Sequence, residues 1–161
     1  MLFTHMEKVY LETSVFSFYY DNRSDPEIVA RRNWTRRFWD HCAGRLSMMT
    51  GAAVLTELSK GAKPHKNDAL NLALSLPALD LNEDIKEIVA VYVHHLVMPR
   101  DPLGDALHLA LASYYKCDYL VTWNCRHLAN ANKTSHIKRI NARLDLHTPA
   151  LVTPLEILGE K

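Results

Sequence analysis

Cysteine is scarce in this 161-residue chain and is not arranged for cross-linking. Cys42, Cys117 and Cys125 form no CxxC pair, and their odd number argues against a disulfide framework. Reduced thiols in a cytoplasmic protein are the expectation. Glycine is sparse as well, with five residues and no GxGxxG, so a Gly-rich phosphate loop is excluded. No apolar run approaches the roughly 18 residues of a membrane-spanning helix. Residues 1–8 lack the apolar stretch of a secretory signal, and no membrane association is expected. Charge of one sign is missing too: 19 Lys and Arg stand against 18 Asp and Glu, a net charge of +1. Bulk attraction to a polyanion is thereby excluded, and any nucleic-acid contact must come from a local basic patch. There is no internal repeat, no Gly/Ser-rich linker and no HExxH among the nine histidines.

What remains is ordinary globular composition, 48% hydrophobic and 23% charged. Its length suits one domain over 1–161 with a core large enough to do without disulfides. Short apolar runs at 8–13, 46–50, 79–81, 119–122 and 151–153 predict strands. Helical spacing predicts helices over 26–42, 51–60, 66–76, 83–96, 103–116, 124–131 and 137–144. Trp34, Phe38 and Trp39 are the expected anchors of the first of these. Leu70, Ala73 and Leu74 share a face of the third, and the 103–116 helix is apolar nearly all round. The 99–104 stretch before it supplies turn and capping residues. Strand–helix alternation implies an α/β fold: three layers, a central mainly parallel sheet and flanking helices. Functional residues then belong at the carboxyl ends of strands.

Acids fall at those stations. Glu12 follows Val9-Tyr10-Leu11 directly. Glu57 shares a helix face with Ala53 and Val54, an uncomfortable place for a lone charge. Asp105 opens the most apolar helix, and Thr122, Asn124 and His127 follow the fourth strand. Each has a bland alternative: a solvated strand end, a helix rim, a first-turn acid or a helix-start histidine. Taken together they suggest a shared cation, because clustered carboxylates raise one another's pKa and a cation removes that cost. Oxygen ligands suit Mg²⁺ or Mn²⁺, with Glu12, Glu57, Asp105 and Asn124 as the expected ligands. His94, His95 and His108 are expected to be packing or surface residues, although His108 lies three residues after Asp105.

These motifs resemble the PIN-domain nucleases. Tyr10-Leu11-Glu12-Thr13-Ser14 looks like the family's opening strand motif. Asp105-Ala106-Leu107-His108-Leu109-Ala110 is similar to its helix with a metal-binding Asp, and Leu120-Val121-Thr122-Trp123-Asn124 resembles its late strand. Glu57 stands where the family places its second acid. In size the chain is similar to VapC-like toxins of type II toxin–antitoxin pairs. The resemblance therefore implies a Mg²⁺- or Mn²⁺-dependent endoribonuclease, often homodimeric and restrained by a cognate antitoxin. Two positions depart from the pattern. The first family acid is usually Asp, and Glu12 moves the carboxylate by about 1.5 Å. Asn124 and His127 stand where an acid is frequent, which leaves less negative charge for a second metal.

On this reading Glu12, Glu57 and Asp105 are the catalytic and metal-holding acids, and Asp105 or Glu12 is the candidate general base. Thr13, Ser14, Thr122 and His127 would orient ligands and water. Arg126, Lys133, Lys138 and Arg139, with Arg143 beyond, form the expected RNA-binding stretch; Arg31, Arg32, Arg36 and Arg37 form a second basic cluster. Trp123 and the Tyr19-Tyr20 pair could stack on bases, though core packing is the commoner fate of such rings. A different class remains open: a catalytically weak PIN-like module that binds RNA or a protein partner. A flap-type DNA nuclease is disfavoured, since the chain has little room for DNA-grasping elements.

Overall fold

The computed structural model describes residues 6–95, 97 and 104–160. Five strands, β1 (Lys8–Leu11), β2 (Ser47–Gly51), β3 (Ala78–Leu79), β4 (Tyr119–Val121) and β5 (Ala150–Val152), form one sheet in the order β3-β2-β1-β4-β5. Every strand pair is parallel. The helices are α1 (Thr13–Tyr19), α2 (Pro26–Cys42), α3 (Ala52–Lys60), α4 (Lys66–Leu74), α5 (Glu83–His94), α6 (Asp105–Tyr114), α7 (Ala131–Arg143) and α8 (Pro154–Glu160). They flank the sheet, which is the three-layer α/β arrangement the alternation predicts. Among the described residues no helix is long and apolar enough to cross a membrane.

The central strand explains its own position. Val9, Tyr10 and Leu11 are all fully buried, as a strand covered on both faces must be. The most apolar helix, α6, is buried from Leu109 through Ser113. Tyr92 of α5 donates to Asn141 Oδ1 of α7 at 2.5 Å, and the Asn141 amide donates to Ser113 of α6 at 3.1 Å. That buried polar chain ties three helices together.

Five local features differ from what the sequence suggests. Helix α1 occupies 13–19, where β-branched and aromatic residues offer weak helical propensity; it forms because Glu12 caps it and Val15 and Phe16 are buried. Residues 124–130 form turns, not a helix. The Asn124 side chain accepts from the backbone N–H groups of Arg126 and His127, local bonding that competes with a helix. Asn130 then caps α7, which starts at Ala131, earlier than the 137 expected. In α4 the buried face is Ala69 and Ala73, while Leu74 is 58% exposed. Phe38 is buried in α2, whereas Trp34 and Trp39 are only half-buried. The expected turn at 99–103, Leu96 and Leu103 lie outside the described residues.

Candidate metal centre

Strand order decides where the centre forms. From β1 the chain moves through β2 to β3 on one side, and β4 and β5 add on the other. The order therefore reverses between β1 and β4, the place where parallel sheets open a crevice at their carboxyl ends. Leu11 pairs with Val121 in register, and the Glu12 N–H donates to Val121 O at 3.1 Å. Glu12 and Thr122 consequently leave the sheet side by side.

Glu12 is 7% exposed, and one of its oxygens is heavily engaged. Oε1 accepts from Ser14 Oγ at 2.5 Å, Thr122 Oγ1 at 2.6 Å and the Ser14 N–H at 3.1 Å. Oε2 carries no hydrogen bond among the described residues. Ser14 Oγ also accepts from the Trp123 N–H at 2.8 Å, which locks β4 to the cap of α1. The Glu12 carboxylate is thus both the helix cap and a fixed oxygen at the crevice.

Glu57 arrives from α3 and is held at both oxygens. Thr13 Oγ1 donates to Oε2 at 2.5 Å, and His108 Nε2 lies 2.9 Å from Oε1. Burial pushes the Glu57 carboxyl up, but the bonds from His108 and Thr13 and the His108 charge together hold it below its ordinary value. His108, 1% exposed, sits on α6 with Nδ1 2.8 Å from the Tyr10 hydroxyl. Burial pulls the His108 imidazole down. The Glu57 hydrogen bond and the charges of Glu12, Glu57 and Asp105 outweigh that and raise it. Burial, and then the charges of Glu12 and Glu57, push Tyr10 far up, so its hydroxyl stays protonated.

Glu12, Glu57 and His108 each present one ligand atom, and these atoms all lie within 4.8 Å of one another. Asp105 is outside that trio yet close enough to act on His108. It is tied in through Asn124, whose Nδ2 donates to Asp105 Oδ1 at 2.9 Å and whose N–H donates to Thr122 Oγ1 at 2.9 Å. The Asn124 amide oxygen, expected to face a cation, is occupied by the Arg126 and His127 N–H groups. Thr13, Ser14 and Thr122 contact the acids directly. His127 does not: its Nδ1 lies 3.5 Å from Lys133 Nζ. The residue sequence reasoning undervalued is His108. Its signal was an imidazole on a helix otherwise apolar all round, one turn after Asp105.

This donor set fits a divalent cation. Two carboxylates converge with an imidazole, and among the described residues neither acid has a Lys or Arg partner. A fully buried histidine whose pKa is raised marks a place short of positive charge. The trio could hold a metal ion, and the imidazole admits ions beyond those that want oxygen alone.

The basic residues divide differently. Arg126, Lys138, Arg139 and Arg143 are exposed, and Lys133 is half-buried. The α2 arginines are largely engaged within the fold. Arg31 lies over the Phe18 and Trp123 rings and pairs with Glu27. Arg32 donates to Asp21 O, Arg36 to Tyr19 O, and Arg37 lies over Trp34. Trp123 is buried and donates to Thr35 at 2.7 Å, so it is a core residue. Neither any protein-family model nor any curated protein matches the chain.

Proposed function

We propose that this chain is a divalent-metal-dependent phosphodiester hydrolase acting on RNA, an endoribonuclease of the PIN type. The observation that carries the reading is the convergence of Glu12, Glu57 and His108 at the strand-order reversal, with Asp105 linked to Glu12 through Asn124 and Thr122. A bound Mg²⁺ or Mn²⁺ would neutralise phosphate charge and acidify a water there. Glu12 Oε2 and Glu57 would hold it, fixed in place by Ser14, Thr122 and Thr13. His108 either contributes its Nε2 or, as an N–H donor to Glu57, sets that carboxylate's direction. Asp105, oriented by Asn124, is the candidate base for removing a proton from the attacking water. Arg126, Lys133, Lys138 and Arg139 supply the positive approach that a polyanionic strand needs.

The toxin role, the cognate antitoxin and the homodimer follow from the resemblance to VapC-like proteins and not from the site. The test of the reaction is cleavage of RNA with Mg²⁺, Mn²⁺ or chelator present. Cleavage that needs metal and is lost in Asp105→Asn and Glu12→Gln supports the reading. Activity indifferent to chelator and to both substitutions refutes it. Metal binding without cleavage of any RNA would instead favour a binding module.

A further inference from the structure

A second feature adjoins the centre. A cavity of about 250 Å³ opens between α1, α3 and the start of α4, and Thr13 and Glu57 form part of its wall. Whatever occupies it therefore lies directly beside a group held by Glu57. Leu58, Ala62 and Ala69 give it an apolar side, and Lys63 and Lys66 give it two cations. Neither ammonium makes a hydrogen bond or ion pair among the described residues. His65, also in the wall, has both ring nitrogens shielded from solvent and without a hydrogen-bond partner. Shielded polar atoms are nearly always paired in folded proteins, so an orphaned imidazole signals a missing partner.

We infer that this cavity is a nucleotide subsite, taking one nucleoside monophosphate unit of the strand next to the bond that is cut. The inference rests on the nuclease reading. Lys63 and Lys66 receive the phosphate, and the apolar side receives the base. On binding, the His65 ring turns to present a donor and an acceptor to the sugar or the base edge. The apolar side separates this cavity from a simple anion site, where only the cations would matter.

The test is titration of the full chain with each ribonucleoside monophosphate, followed by amide chemical shifts in chelator. Inorganic phosphate and the free nucleosides are the comparison ligands. Saturable shifts at Leu58, Ala62, Lys63 and Lys66, tighter for a monophosphate than for either comparison ligand, are expected. Lys63→Ala with Lys66→Ala should weaken that binding by about tenfold or more while Mn²⁺ binding is retained. The single exposed change Lys63→Glu serves if the double variant misfolds. No saturable shift with any monophosphate, equal binding by inorganic phosphate, or indifference to the lysine changes overturns the subsite. Mn²⁺ titration of the same proteins without chelator keeps the two ideas apart. Metal binding without nucleotide binding removes the subsite alone, and nucleotide binding without metal binding removes the metal centre alone.

Discussion

His108 Nε2 lies 2.9 Å from Glu57 Oε1, and this one contact joins the most buried helix to the candidate metal centre. It also has a pH signature. The His108 pKa is raised above 6.5, with the Glu57 bond and nearby carboxylates overcoming burial. A raised folded value means the pair's stabilisation is fully present below about pH 6.5 and is lost as pH rises through the folded value. Glu57 is depressed below 4.5, so its share is present above that pH and is lost as pH falls through the lower folded value. Urea unfolding in chelator, from about pH 5 to about pH 9, should show stability declining on the alkaline side. His108→Gln should flatten that decline. An equal alkaline slope in the variant would show that this pair is not responsible.

Gly51 protects the other side of the same histidine. A Cβ at this position would come within 2.6 Å of the Tyr10 hydroxyl and 2.8 Å of Leu111 Cδ1. Gly51→Ala should therefore push the Tyr10 hydroxyl off His108 Nδ1 and cost about 1–3 kcal/mol by overpacking. The His108 ring nitrogen shifts, followed by NMR, should move with the loss of stability. A variant with wild-type stability and unmoved His108 resonances would show that the close approach does not constrain the pair.

Asn124 links Asp105 to the β4 end without offering its oxygen outward. Asn124→Ala removes the donor to Asp105 Oδ1 and the acceptor for two turn N–H groups. Loss of such a supporting partner typically weakens metal binding by about 10–100-fold. Asn124→Asp keeps the turn acceptor but replaces the donor with a second acid beside Asp105. Calorimetric Mn²⁺ titration should find the Ala variant weakened while its far-UV circular dichroism stays native. Full affinity in Asn124→Ala would show that the Asn124–Asp105 bond does not support metal binding.

Much of the fold was legible because apolar runs are strong signals when both faces of a strand are covered. Val9-Tyr10-Leu11 and Tyr119-Leu120-Val121 are such runs, and the alternation with helices then implied parallel pairing. Glu12 and Glu57 stood out for the complementary reason: a charge next to buried residues needs an explanation. Helix α1 is hard to read in one dimension because Thr13–Tyr19 has weak helical propensity and depends on a carboxylate cap and tertiary burial. His108 was undervalued because a buried imidazole and a packing imidazole look alike in one dimension. Its partners, Tyr10 and Glu57, lie 98 and 51 positions away. Residue type alone points to Asn124 as a ligand, and only its bonds separate a ligand from a brace.

The most direct test is Mn²⁺ binding by the purified chain, followed by electron paramagnetic resonance and calorimetry. Saturable binding that is lost in Glu12→Gln and Glu57→Gln, each with its native fold retained, is the result expected from the trio's geometry. Its nitrogen ligand further predicts Mn²⁺ above Mg²⁺ in affinity. No saturable binding, or binding that survives both substitutions unchanged, would contradict the centre itself.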